Sequence, residues 1–302
     1  MTAGATPFAR LSDDHVQQVR AGADLAAAHD GVEPLSEAFV LALPREGDHL
    51  VATDGDAVVG YAATAADGSL EAFVVPAQRG RGIGRALLTT ALERRPDVRP
   101  WAHGDLPASR ALGERLGLQV VRELLVLSRD VQPGDEQDPT FPDGVRHRTF
   151  RPGEDEGSLL AVNAAAFVDH PEQGALDAAG LAERMAQPWF DPEGVLLLED
   201  PAHGERVVGF HWTKIDPPGG GIGEVYVVGL HPDVHGRGLA GPLTRLGLAH
   251  LARRGVTEVE LYVEADNHPA LATYRRAGFT RKAVHVMYAR RSSPPVHDAV
   301  QG

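Results

Sequence analysis

Two stretches of this sequence combine residues that could hold a phosphate: Phe73 to Leu88 reads FVVPAQRGRGIGRALL, and Gly229 to Thr244 reads GLHPDVHGRGLAGPLT. Superposing Pro76 on Pro232 gives an offset of 156 (232 − 76), which also places Gly80 on Gly236, Arg81 on Arg237 and Gly82 on Gly238. Closely spaced glycines let the backbone approach an anion, and a helix that follows aims its N–H groups at it. Glu224 stands eight residues before Pro232 (232 − 224), and Asn267 and Tyr274 lie beyond the second copy. A carboxylate that takes a proton and a phenol that gives one are the two halves of acid–base chemistry. The first copy lacks both: Gly68 aligns with Glu224, and matching Gly117 to Gly278 puts Gly113 at Tyr274 and Leu106 at Asn267. Tyr274 also fits a plain core aromatic, and Glu224 a solvated carboxylate opening a strand.

Other chemistries fit less well. The chain has no cysteine, which excludes disulfides, cysteine-ligated zinc and a cysteine nucleophile. His231 and His235 have a ligand-like spacing, but Pro232 and the glycines make a turn there and no third ligand stands nearby, so no metal is expected. Ser109 and Ser158 lack the context of a nucleophile elbow. The net charge of −13 argues against nucleic acid and is compatible with a cationic amine. Lysine occurs only at Lys214 and Lys282, the other cations being arginine, a bias that reads as base composition.

The elements that would carry these residues follow from periodicity. Leu70 to Val75 and Glu224 to Leu230 read as buried strands entering the glycine turns. Ala86, Leu87, Ala91 and Leu92, and Leu243, Leu246, Leu248 and Leu251, recur at helical spacing after them. A further strand follows in each half, at Val98 to His103 and Glu258 to Val263, and then a helix ending in Gly. Hairpins precede the units, at Leu50 to Thr53 with Val58 to Thr64 and at Val195 to Glu199 with Val207 to Lys214. Strand alternation predicts one face for Glu224, Tyr226 and Val228, and helical spacing one face for Asn267 and Tyr274.

A chain of 302 residues suits two domains of about 150 residues. The segment around Asp130 to Gly144, rich in Pro, Gly and acidic residues, reads as the junction. The expected organisation is an N-terminal domain over 1–135, a linker over 136–144, a C-terminal domain over 145–290 and a disordered tail over 291–302. No apolar run is long enough for a membrane span and the N-terminus has no secretory pattern, so a cytoplasmic protein is expected.

Three readings compete for the glycine turns. A Walker loop needs Gly-Lys-Ser/Thr, which neither copy has. Gly236-Arg237-Gly238-Leu239-Ala240-Gly241 matches a dinucleotide fingerprint, with Glu258 or Glu260 as its acid, but it lies mid-domain with Arg237 inside the turn. A turn that merely needs glycine is a further alternative. Both Val75-Pro76-Ala77-Gln78-Arg79-Gly80-Arg81-Gly82-Ile83-Gly84 and Leu230-His231-Pro232-Asp233-Val234-His235-Gly236-Arg237-Gly238-Leu239-Ala240 resemble the phosphate loop of the GNAT acetyltransferase superfamily, V-x-P-x-x-[QR]-x-x-G-x-G/A. The segment Leu261 to Phe279, with Asn267 and Tyr274, resembles that superfamily's second signature.

The resemblance implies an α+β fold of two tandem GNAT-like domains, each a mixed, mostly antiparallel sheet flanked by helices, with acetyl-CoA as co-substrate. Its pyrophosphate would be cradled by backbone amides of His235, Gly236, Arg237, Gly238, Leu239, Ala240 and Gly241, and in the first half by those of Gly80, Arg81, Gly82, Ile83, Gly84 and Arg85. The pantetheine arm would follow Val228, Gly229 and Leu230, and in the first half Phe73, Val74 and Val75. Asn267 would begin the helix beside that arm. Glu224 would be the base and Tyr274 the acid for amide formation from a thioester. The N-terminal domain would bind CoA without transferring acetyl.

More of the chain resembles one branch. Asn163 to Phe167, His170 to Gly174, Trp189 to Pro192, Gly209 to Lys214, Gly223 to Val227 and Trp101 to Gly104 are similar to the mycothiol synthase family, tandem GNAT enzymes of actinobacteria. That family acetylates the cysteinyl amine of a cysteine–glucosamine–inositol conjugate, the last step to mycothiol. Carried over by position, Glu37, Glu172, Lys214, Glu224 and Tyr262 would contact this small-molecule acceptor, although Glu37 also fits a surface helix. A monomer acting on neither nucleic acid nor membrane is expected. A GNAT enzyme for another amine and a non-catalytic acyl-CoA sensor are the alternatives.

Overall fold

The computed structural model describes residues 4–142, 144–168, 173–203 and 206–290. The chain divides into two compact units, one of Met1–Leu124 with Ala283–Gly302 and the other of Leu125–Lys282. Glu172 and the segment 291–302 lie outside the described residues.

The first unit runs β1 (Ala5–Phe8), α1 (Asp13–Asp30), α2 (Glu37–Ala42), β2 (Asp48–Asp54), β3 (Ala57–Thr64), β4 (Ser69–Val74), α3 (Ile83–Arg94), β5 (Arg99–Ala102), α4 (Pro107–Arg115) and the start of β6 (Leu118–Asp130). Ser12 starts α1 by accepting from the His15 amide, and Gly31 ends it in the left-handed region, φ 71°. The strands lie in the order β1-β2-β3-β4-β5, antiparallel except for β4 beside β5. Leu50, Ala62 and Leu70 face Leu87 and Ala91 of α3, while Val51, Tyr61 and Phe73 face Val19 and Ala23 of α1. Fully burying each such aliphatic side chain contributes about 1.5–3 kcal/mol.

The second unit continues with the end of β6, then β7 (Arg146–Thr149), α5 (Glu156–Ala166), α6 (Ala178–Met185), β8 (Val195–Asp200), β9 (Arg206–Lys214), β10 (Ile222–Leu230), α7 (Ala240–Arg253), β11 (Glu258–Glu264), α8 (His268–Arg276) and β12 (Thr280–Arg290). Its order is β6-β11-β10-β9-β8-β7, with β10 and β11 parallel. Phe210, Trp212, Leu197 and Trp189 pack toward α5 and α6, and Leu243, Leu248 and Leu251 of α7 form the opposite layer. Each unit is the expected mixed, mostly antiparallel sheet between helices.

The division differs from the junction read in the sequence because two strands cross it. Residues 125–130 of β6 belong to the second unit, where Arg129 donates to the Ala277 carbonyl at 2.8 Å and Val131 to the Thr257 carbonyl at 2.9 Å. The last described residues return to the first unit, where Val286 pairs with Ala102 and Met287 with Trp101 of β5. Neither strand was read from the sequence, and partner choice between strands is a non-local property.

Gly247 of α7 has no side chain because His211 of β9 occupies that space: a Cβ there would lie 2.0 Å from the imidazole. His211 is fully buried and its Nδ1 lies 2.9 Å from the Leu243 carbonyl. Burial pushes its pKa down to about 4, an effect opposed by that hydrogen bond. The unfolded chain protonates this group near pH 6.5 and the folded chain only near pH 4, so stability is whole above pH 6.5 and declines as pH falls to about 4. The full span is worth roughly 3 kcal/mol. Denaturant midpoints measured between pH 7 and 4 are expected to fall accordingly, and His211→Leu is expected to flatten the fall.

Candidate active site

β10 and β11 share the parallel register Ile222↔Glu258, Gly223↔Val259, Glu224↔Glu260 and Val225↔Leu261, and pair no further. A β-bulge between Val225 and Val227 in the register with β9 explains the divergence, since an extra residue on one strand bends it and increases its twist. From Tyr226 to Leu230 the edge of β10 therefore turns away from β11. An edge of this kind can receive an extended ligand as a strand would be received. In the first unit β4 and β5 pair only at Ser69↔Arg99 and Leu70↔Pro100 before parting, so Phe73, Val74 and Val75 lie along a similar opening.

The bulge corrects one expectation. Glu224 and Tyr226 keep a common face, but Val228 does not share it: Tyr226 and Val227 both pack toward α5 and α6, while Val225 and Val228 pack on the α7 side. Period-two reading fails wherever an unpaired residue resets the phase.

Beyond each opening is a turn. Pro76–Gln78 and Pro232–Val234 are single 3-10 turns, and Gly80, Gly82, Gly236 and Gly238 take φ of 77°, 86°, 76° and 75°, the left-handed region that favours glycine. The turns are tied back in the same way: the Arg79 Nε donates to the Val74 carbonyl at 3.0 Å, and His235 Nε2 lies 3.2 Å from the Leu230 carbonyl at the equivalent position. Arg79 also forks onto Asp30 with two 2.7 Å bonds. The side chain of Arg237 is held by Asp200, and Arg81 by Gln78 and Asp54, so neither guanidinium is needed to make an anion site.

The His235 and Arg237 amides donate inside the turn, to the Pro232 and Val234 carbonyls. This leaves the amides of Gly236, Gly238, Leu239, Ala240 and Gly241 at the head of α7 as candidate anion donors. In the first copy they are those of Gly80, Arg81, Gly82, Ile83, Gly84 and Arg85 at the head of α3. A helix leaves its first N–H groups without internal acceptors, and Pro242 costs nothing there. The donor set suits a pyrophosphate in both copies.

The sheet face shared by Glu224 and Tyr226 gathers polar groups. Lys214 is the register partner of Glu224 across β9, and Glu260 across β11. The Lys214 ammonium lies 4.8 Å from the Trp189 ring centre, 5.4 Å from that of Tyr226 and 3.6 Å from Asp216. Arg184 of α6 donates to the Tyr226 hydroxyl at 3.0 Å. Tyr262, 45% exposed, follows Glu260 on the same side of β11. Lys214, Glu224 and Tyr262 are thus brought together. Trp189, Tyr226, Arg184 and Glu260 join them without having been foreseen as site residues. Glu37 belongs to the other unit, at the first turn of α2.

Asn267 caps α8, its side chain accepting from the Ala270 amide at 3.2 Å, and Leu271 and Tyr274 of that helix pack into the core under α7. Burial pushes the Tyr274 phenol up to about 12, so it stays protonated at neutral pH as a proton donor must.

The first unit answers differently at each point. Gly113, at the position of Tyr274, lies under the Tyr288 ring from β12, which a Cβ would meet at 2.9 Å. Glu71 of β4, 3% exposed, accepts from the Ser36 amide at 2.6 Å and lies 3.2 Å from His103 Nε2 without the alignment of a hydrogen bond. His103 in turn meets His285 at 3.3 Å. Buried and engaged at both oxygens, Glu71 is no substitute for Glu224.

Residues 154–279 match the Acetyltransferase (GNAT) family, and residues 45–117 an Acetyltransferase (GNAT) domain. The chain is 48% identical to a mycothiol acetyltransferase of Thermomonospora curvata, with 95% of this chain and 96% of that one covered. It is 45% identical to one of Catenulispora acidiphila, with 92% and 96% covered. Among solved structures, a tandem GNAT protein from the clavulanic acid biosynthesis pathway superposes with a TM-score of 0.69 at 20% identity, covering 96% of this chain and 99% of that one. A GCN5-related N-acetyltransferase from Sphaerobacter thermophilus gives 0.67 at 26% identity, with 93% and 94% covered.

The two turns are separable by mutation. Gly238→Val forces a β-branched residue into left-handed backbone at about 1–2 kcal/mol. CoA titrated by calorimetry is expected to lose about tenfold in affinity at the turn that heads α7, and Gly82→Val tests in the same way whether the turn that heads α3 holds CoA.

Proposed function

Because the chain belongs to the mycothiol acetyltransferase family of GNAT enzymes, we propose that its second unit transfers acetyl from acetyl-CoA to the cysteinyl amine of a cysteinyl-glucosaminyl-inositol acceptor. The chain is an acetyl-CoA-dependent N-acetyltransferase. No helix of the described residues is long and apolar enough to cross a membrane.

The reading of the site rests above all on Glu224, which stands at the last but one paired residue of β10, where the strands begin to part. The acyl carrier would lie with its phosphates on the head of α7 and its arm along Val228, Gly229 and Leu230, bringing the thioester beside this carboxylate. Glu224 takes the proton that frees the acceptor amine for attack on the carbonyl carbon. The carbon–sulfur bond then breaks, Tyr274 supplies a proton to the departing thiolate, and the second proton lost from the amine nitrogen restores the phenol, so that N-acetyl acceptor, free CoA and the proton on Glu224 result. Lys214, Tyr262 and Glu172 would hold the polar body of the acceptor, the first two on the face of Glu224 and the third outside the described residues. An acceptor with an ammonium and many hydroxyls suits carboxylates, an ammonium donor and a phenol.

The first unit would bind CoA on Gly80 to Arg85 without turning it over. Gly68 gives it no base at the aligned position, and the Glu71–His103 pair is committed to internal contacts.

Acetyl transfer to the conjugate, compared with a panel of amines, tests the acceptor; faster turnover on a panel amine would overturn it. Glu224→Gln is expected to lower kcat about 10²–10⁴-fold with the KM for acetyl-CoA unchanged. Tyr274→Phe is expected to slow turnover less and without loss of fold, since only a hydroxyl is removed from a packed ring.

A further inference from the structure

Both lysines of the chain, Lys214 and Lys282, lie on the sheet face that carries Glu224. Lys214 is the register partner of Glu224. Lys282, the last residue of the second unit, places its ammonium 3.1 Å from Glu260 and 2.9 Å from Glu258, the two carboxylates that alternate with buried Val259 and Leu261 on β11. Glu260 is in turn the parallel register partner of Glu224. Neighbouring strands are about 4.8 Å apart, so the two acidic side chains leave adjacent backbone positions on one face of the sheet. A like charge at that distance raises a carboxyl pKa and favours its protonated form. The ammonium of Lys282 opposes this. A compact ammonium can be shared between two carboxylates spaced two residues apart on a strand, whereas a guanidinium favours a fork onto one.

We propose that Lys282 is a positioning residue for the acetyl transfer: it neutralises Glu260, so that the carboxylate beside Glu224 does not hold a proton on the base. The proposal rests on Glu224 acting as that base. The other charged and titratable groups on this face include Lys214 with Asp216, Glu258, Tyr262 and Glu264 of β11, and Arg184 of α6 through the Tyr226 hydroxyl.

The test is the pH dependence of kcat/KM for the acceptor in Lys282→Met, Glu260→Gln, the double variant and Lys282→Arg. The reaction requires ionised Glu224, so rate is lost as pH falls through its pKa, and a higher pKa moves the acidic limb to higher pH. The acceptor amine ionises alike in every assay, so differences between variants belong to the enzyme. Lys282→Met is expected to move the limb up by about one pH unit without changing the KM for acetyl-CoA. Glu260→Gln, which removes the like charge beside Glu224 and leaves the ammonium with Glu258 alone, is expected to move it down. The double variant is expected to return toward wild type, and Lys282→Arg to stay near it. A structural role alone would lower stability without this pattern of opposite shifts. An unmoved limb in Lys282→Met, or an equal displacement in the single and double variants, would overturn the proposal. If Lys282→Met does not fold, the direction of the Glu260→Gln shift decides. Should Glu224→Gln keep the wild-type rate and limb, the assignment of the base itself fails, a result distinct from the others.

Discussion

Parallel strands β10 and β11 share four residue pairs and then part, and nearly everything else about the second unit follows from where they part. The bulge at Val225 to Val227 bends β10 while its pairing with β9 continues to Leu230. One edge of the strand is thereby held rigid and the other opened. A flat, fully paired sheet would leave no backbone for an extended ligand and would bury the head of α7 behind β11. The same bulge keeps Tyr226 on the face of Glu224 and sends Val228 to the other side, so the polar face ends where the opening begins. Behind this edge, His211 pressed on Gly247 fixes α7 against the sheet and so fixes the height of the glycine turn at its head.

Much of this was legible in the sequence, for reasons that can be named. Glycines at 80, 82, 236 and 238 are a backbone requirement written in residue type, and the duplicated spacing around them gave both turns and the order of strand and helix. Glu224 and Tyr274 were visible because the second half keeps them where the first has Gly68 and Gly113. The bulge was not, because an extra residue changes neither composition nor the run of apolar side chains. Nor was Tyr288 over Gly113, a contact between residues far apart in the chain. The two lysines are a different case. Their isolation among arginines is plain in the sequence, but as composition it points nowhere. Only the register of β9, β10 and β11 shows that both stand beside carboxylates on one face.

The comparison of the halves also shows how a duplicated site diverges. The backbone devices persist in both: the 3-10 turn, the left-handed glycines and the side chain at 79 or 235 that meets the last strand carbonyl. These depend on φ and on main-chain donors, and tolerate many neighbours. The side chains that would do chemistry do not persist. In the first unit a buried carboxylate is tied to Ser36 and His103, and a ring from β12 fills the place of the phenol. Main-chain geometry and side-chain identity are thus separable, and only the first is common to both units.

The return of residues 283–290 to the first unit has a consequence in time. Domains generally fold as units and the N-terminal one first, as the chain leaves the ribosome. Here the sheet of the first unit lacks the strand carrying Val286 and Tyr288 until the second unit has been made. The unit that is translated first is completed last, and it must wait, with the edge of β5 uncovered, for the second unit to be synthesised.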